Sequence, residues 1–146
     1  FASKGFQLAR IETPSEKYVF ILNTHLDAGR STSDRKVRAD QLNQILAKVE
    51  KVIDGEALIV AGDLNLRWND PQDSHLLEAF KKDLGLLDSF GGVKSDKNRP
   101  SLDYILYRNG TDTTLEVLEV GIDSDFQYDN KPLSDHPALF IRLLIR

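Results

Sequence analysis

The stretch Leu58 to Asn65, LIVAGDLN, constrains the fold of this chain more than any other. Its apolar residues run without a break over Ala57 to Ala61, the pattern of a strand covered on both faces rather than of a half-solvated one. The spacing predicts a strand over 56–62 that needs a packed layer on each side. Its C-terminal tip delivers Gly62, Asp63 and Asn65. Strand ends of this kind are where binding and catalytic groups concentrate.

The remaining elements can be placed around that strand. Gly5 to Glu12 alternates loosely between apolar and polar, Thr13 to Lys17 contains Pro14, and Tyr18 to Thr24 is rich in β-branched and aromatic residues. This pair reads as a β-hairpin whose second strand ends on His25. A polar loop over 27–33 leads to a helix, with Ser33 or Asp34 as the expected N-cap and Gly55 as its stop. Val37, Leu42, Ile45, Leu46, Val49, Val52 and Ile53 form its apolar stripe. Arg38 and Gln41 read either as a solvated face or as groups that fix the His25 loop. Past Asn65, a loop with Trp68 and Pro71 precedes a short helix near 74–83 with Leu76, Leu77 and Phe80 inward. Trp68 packs over its loop or meets a substrate. A short strand is expected at 86–90, a polar and basic loop at 91–100, and a β-rich run at 101–108 in which Asp103 is embedded. Another strand follows at 115–122, then an acidic, mobile loop at 123–131, and a last strand at 138–145 preceded by Ser134, Asp135 and His136.

Composition narrows the classes. A chain of 146 residues, 40% hydrophobic and 29% charged, suits one globular domain over 1–146 with a real core. No apolar run approaches the roughly 20 residues of a membrane span, so a soluble chain is expected. The net charge of −4 gives no footprint of strong nucleic-acid binding. The absence of cysteine excludes disulfides and thiolate metal sites, and leaves the compartment open with secretion compatible. Neither methionine nor a signal-like segment is present, from which a fragment or processed chain is expected.

The chemistry rests on a set. His25, Asp63, Asn65, Asp103, Asp135 and His136 each stand at or near the end of an expected strand, in four separated segments. Carboxylates and a carboxamide suit a hard cation such as Mg²⁺, with Mn²⁺ or Ca²⁺ as alternatives. There is no cysteine and no HExxH helix to indicate zinc. With two imidazoles added, the set fits metal-assisted attack of water on a phosphodiester.

Four segments, NTHLDAG at 23–29, AGDLN at 61–65, SLDYILY at 101–107 and SDHPAL at 134–139, resemble the successive motifs of the endonuclease/exonuclease/phosphatase superfamily. That superfamily includes deoxyribonuclease I, abasic-site endonucleases, inositol-polyphosphate 5-phosphatases and neutral sphingomyelinases. The resemblance implies an α/β fold of two packed β-sheets flanked by helices. It also implies roles: Asp63 orients or deprotonates the attacking water, Asn65 contacts phosphate, and His136 is a second catalytic imidazole oriented by Asp103. His25 donates to a phosphoryl oxygen or the leaving group, and Asp135 with Asp63 helps to hold the metal. Either Asp63 or His136 can be the base. Arg38 and Trp68 are further candidates for substrate contact.

The family's strand-end Asn and its principal metal-ligand Glu, which belong to an N-terminal half, have no counterpart here. The chain is therefore expected to be the C-terminal part of such a domain, inactive alone, with the other half as its partner and with apolar surface left open on one sheet. The NTHLDAG segment, continued by SxSDRxxR, resembles the sphingomyelinase-like branch most, which implies a lipid head-group phosphodiester as substrate. Ser101 stands before Leu102 and Asp103, after Arg99 and Pro100, where repair nucleases carry an arginine. A DNA or RNA nuclease is the alternative within the same chemistry, and a catalytically incomplete phosphate-binding module is the alternative outside it.

Overall fold

The computed structural model describes residues 4–91 and 100–146. Most of the basic loop expected at 91–100, Arg99 included, lies outside the described residues.

Strand β1 (Phe6–Glu12) pairs antiparallel with β2 (Tyr18–His25) in the expected hairpin. Helix α1 (Thr32–Val52) follows, then β3 (Ala57–Asp63), helix α2 (Pro71–Leu84) and the short β4 (Leu87–Asp88). The chain continues through β5 (Asp103–Arg108), β6 (Leu115–Ile122), β7 (Gln127–Tyr128), β8 (Lys131–Pro132) and β9 (Leu139–Ile145). One sheet has the order β1-β2-β3-β5-β4, which puts β3 at its centre, parallel to β2 and antiparallel to β5. A second sheet consists of β6 and β9.

The sequence periodicity explains the layering. Even-numbered residues of the central strands, Phe20, Leu22, Leu58, Val60, Tyr104 and Leu106, face one way and are buried against Leu42, Ile45 and Val49 of α1 and Leu77, Phe80 and Leu84 of α2. The opposite face contributes Val19 and Ala57, which meet Leu115 with Ile59, Tyr107, Leu143 and Ile145 around them. The β3 strand thus has helices on one face and the second sheet on the other, as its unbroken apolar run predicts. The second sheet turns its other face, with Phe140 and Leu144, to solvent.

Three local expectations are corrected. Helix α1 begins earlier than predicted, because Ser31 is the N-cap. Its side chain accepts from the Asp34 amide, and Asp34 in turn accepts from the Ser31 amide, a reciprocal capping box. Helix α2 likewise begins at Pro71 rather than near Ser74, since the Asp70 side chain accepts from the amides of Gln72 and Asp73 and proline suits the first helical position. The acidic segment expected as a mobile loop contains a small hairpin, β7 with β8. Asp129 and Asn130 form its two-residue turn with φ of 50° and 57°, the left-handed pair that matches strand twist.

Candidate active site

Three of the predicted groups lie side by side because of strand register alone. His25 of β2 pairs with Asp63 of β3, and Asp63 pairs with Asp103 of β5, so the three stand in one row across adjacent strands. The row is held past the strand ends by backbone bonds: the Leu26 amide donates to the Asp63 carbonyl and the Leu64 amide to the Leu102 carbonyl, each at 2.9 Å. The fourth group, His136, arrives from the turn before β9, where its amide donates to Ser134 Oγ at 3.1 Å.

Gly62 sets the approach of β3. It has φ of +139°, and a Cβ there would lie 1.9 Å from the carbonyl oxygen of Thr24 on β2. Only glycine permits that closeness. Three residues on, Asn65 takes φ of +49°, which asparagine tolerates, and its amide donates to Asp63 Oδ1 at 2.8 Å. The turn fixes the Asp63 carboxylate. Asn65 Nδ2 reaches across to the Leu26 carbonyl at 3.0 Å, so one of its two carboxamide hydrogens ties the β3 loop to the β2 loop.

Among the four titratable groups, His136 Nδ1 lies 2.8 Å from Asp103 Oδ2 and 3.9 Å from Asp63 Oδ2, while His25 Nε2 lies 3.4 Å from Asp63 Oδ2. A carboxylate partner selects the Nδ1–H tautomer of His136 and leaves Nε2 for chemistry. The same bond holds the imidazolium, raising the His136 pKa above its ordinary 6.5, with the charges of Asp103, Asp63 and Asp135 adding to it and slight burial opposing it. Burial raises the Asp103 carboxyl, and the bond to His136 works against that rise. We take the pair as an imidazolium facing a carboxylate, since the direct bond favours both charges. His25 is the open member, with 57% of its side chain exposed against 14% for Asp63.

The donor set has a composition that a cation can use. One ligand atom each from Asp63, Asp103 and His136 lie within 4.8 Å of one another. Two carboxylates offer part of the oxygen shell that a hard cation would complete with water or substrate oxygens. Asp135, expected to hold a metal with Asp63, is exposed at the rim and does not belong to that group.

Two candidates for substrate contact have packing partners in the fold. Arg38 is 0% exposed and donates to the carbonyls of Asp27 and Gly29, both at 3.0 Å, so it braces the loop after His25. This also corrects the reading of Arg38 as part of a solvated face. Gln41 assists by accepting from the Asp27 amide at 2.9 Å. Trp68 is partly buried and packs against the helix-side core. The sequence reading missed Asp73, 2% exposed, which accepts from Arg35 Nε, Arg38 Nη2 and the Arg67 amide. An aspartate three residues after the capping Asp70, at the start of an apolar helix, was the available signal.

The chain belongs to the endonuclease/exonuclease/phosphatase family: the profile of Endonuclease/Exonuclease/phosphatase family 2 matches residues 1–89. A sphingomyelinase of Mycobacterium bovis is 30% identical over 152 residues, covering 93% of this chain and 30% of that protein. The chain thus spans about a third of the curated relative it matches. The fold is shared with D. rerio TDP2 in complex with a single-strand DNA product, at a TM-score of 0.71 and 20% identity over 94% of this chain and 60% of that one. It is shared also with a Staphylococcus aureus beta toxin variant holding magnesium ions, at a TM-score of 0.60 and 23% identity over 93% and 56%. The α/β architecture of packed sheets flanked by helices follows from these likenesses as well as from the topology.

Proposed function

We propose that these residues form part of a metal-dependent phosphodiesterase acting on a lipid head-group phosphodiester in the manner of a sphingomyelinase. The observation that carries the proposal is the row His25, Asp63 and Asp103 with His136 bonded to its end. Such a row supplies the proton-transfer and charge-stabilising groups for hydrolysis of a phosphodiester. Asp63, oriented by the Asn65 amide, accepts the proton of the attacking water. His136, kept cationic by Asp103, donates from Nε2 to a phosphoryl oxygen, where negative charge grows in the transition state. His25 protonates the departing oxygen. Asp63 would help to hold Mg²⁺, or Mn²⁺ or Ca²⁺ in its place, with Asp135, outside the cluster of Asp63, Asp103 and His136, acting through water, and the ion would neutralise phosphate charge.

The composition of the segment leading to His136 supports a lipid rather than a nucleic acid. The segment leading to it carries Asp123, Asp125, Asp129 and Asp135 against Lys131, and exposes Phe126, Tyr128 and Leu133. Acidic and apolar surface suits a neutral head group over a polyphosphate backbone. The 146 residues supply the C-terminal part of the domain in this reading, with the principal carboxylate ligand in the other part. The partial coverage of the relatives supports that division.

The test is a set of parallel assays of the full-length protein, with and without Mg²⁺, on sphingomyelin vesicles, plasmid DNA and an inositol polyphosphate. Mg²⁺-dependent cleavage of sphingomyelin is expected. Nicking of plasmid with sphingomyelin intact moves the substrate to the nuclease alternative, and silence on all three leaves a phosphate-binding module.

A further inference from the structure

We infer that Arg38 and Asp73 are positioning residues for hydrolysis, forming one buried clamp that holds the two site loops in register; this rests on the proposed function. Arg38 stands on α1 and Asp73 on α2, far from one another in sequence and almost wholly out of solvent. Through Nη1, Arg38 grips the carbonyls of Asp27 and Gly29, in the loop that follows His25. Through Nη2 it meets Asp73 Oδ1 at 3.4 Å. The other oxygen of Asp73 accepts the Arg67 amide at 3.2 Å, in the loop that follows Asp63 and Asn65. One ion pair therefore reaches the chain after β2 with one end and the chain after β3 with the other. The crossing bond from Asn65 to Leu26 closes the same circuit on the site side.

Packing alone does not call for such a pair. A buried guanidinium and carboxylate lose much of their hydration, and apolar side chains of similar volume fill such places at least as stably. Arg38 Nε has no acceptor among the described residues, a further cost. What apolar residues cannot do is donate to two carbonyls of one loop while anchoring a carboxylate that receives the other loop's amide. The planar fork of arginine does so, and the compact ammonium of lysine does not. The place where that geometry matters is the separation of His25 and Asp63, 3.4 Å between Nε2 and Oδ2.

The experiment compares the full-length protein with Arg38→Met and Arg38→Lys. In both variants Asp73 keeps its ion pair with Arg35 at 2.9 Å. On an aryl phosphodiester with Mg²⁺, each variant is expected to lose about 10²-fold in kcat, the effect of misplacing a reacting group by about 1 Å, with KM unchanged. In a His25→Ala background the same substitutions are expected to cost little more, because the positioned group is already gone. An unchanged kcat, or an equal further loss in the His25→Ala background, overturns the clamp. Amide hydrogen exchange at Leu26 and Asp27 gives a second readout that needs no turnover. Exchange there is expected to quicken roughly tenfold while the core amides of β3 stay protected. Equal exchange in parent and variants overturns the clamp. A wild-type protein without turnover overturns the functional reading instead, and exchange then decides the clamp by itself. If the methionine variant does not fold, the lysine variant carries both measurements.

Discussion

Substitution of Gly62 by alanine tests the strand geometry that places Asp63. The added Cβ would stand 1.9 Å from the Thr24 carbonyl oxygen, where ordinary contacts begin near 3.4 Å, so β2 and β3 must part by more than about 1 Å. Thr24 and Gly62 are ladder partners in the middle of the five-stranded sheet, and helices on one face leave little room to part. Two costs combine. Forcing an L-residue into positive φ takes about 1–2 kcal/mol, and overpacking with backbone displacement takes about 1–3 kcal/mol more. Denaturant unfolding of Gly62→Ala is therefore expected to show a loss of roughly 2–5 kcal/mol, and a thermal scan a drop of roughly 5–20 °C. Gly85→Ala is the control. It has φ of +67° with nothing within 4 Å of the new Cβ, so it incurs only the backbone cost of about 1–2 kcal/mol. If Gly62→Ala is no more destabilising than Gly85→Ala, the close approach of β3 to β2 is wrong, and with it the placement of His25 beside Asp63.

Three other outcomes follow from the same geometry. Asp103→Asn removes the carboxylate that holds the His136 imidazolium, so the NMR titration midpoint of His136 is expected above 6.5 in the parent and to fall back toward that value in the variant. In the full-length protein the same substitution is expected to reduce kcat by about 10²–10⁴-fold, through the wrong tautomer and lost orientation. Ser31→Ala breaks the capping box of α1 and is expected to cost about 1 kcal/mol in denaturant unfolding. Asp34 and Asp70 are both held below 3.8, Asp34 by Ser31 and Asp70 by the Asp73 amide; their contributions are thus present above 3.8 and fade as pH falls through the lower folded values, which an acid unfolding series of Asp70→Asn against the parent measures.

How far the fold was legible in the sequence varied with the length scale of its causes. Apolar periodicity located β1, β2, β3, β6, β9 and both helices, because the burial of an amphipathic face or a continuous run is a property of the segment itself. The row of His25, Asp63 and Asp103 was legible only as three strand ends; their alignment depends on register between β2, β3 and β5, which pairing at long range decides. Helix starts were missed by two or three residues because several Ser and Asp residues near each start can cap, and side-chain geometry chooses among them. The β7–β8 hairpin escaped notice since Gln127, Tyr128, Lys131 and Pro132 show no apolar alternation, and only the Asp129–Asn130 turn marks it. Arg38 and Asp73 were hardest of all. A charged side chain on a helix reads as solvated unless its partner is known, and here the partner comes 35 residues later on another helix.

The assignment of His136 can be tested most directly by the hydrolysis of a simple aryl phosphodiester by the full-length protein in Mg²⁺, compared with His136→Ala at equal folded concentration. Turnover in the parent and a loss of about 10²–10⁴-fold in the variant are expected if His136 stabilises the developing phosphoryl charge from the end of the strand row. An unchanged rate in His136→Ala contradicts that role and the catalytic reading of the row with it.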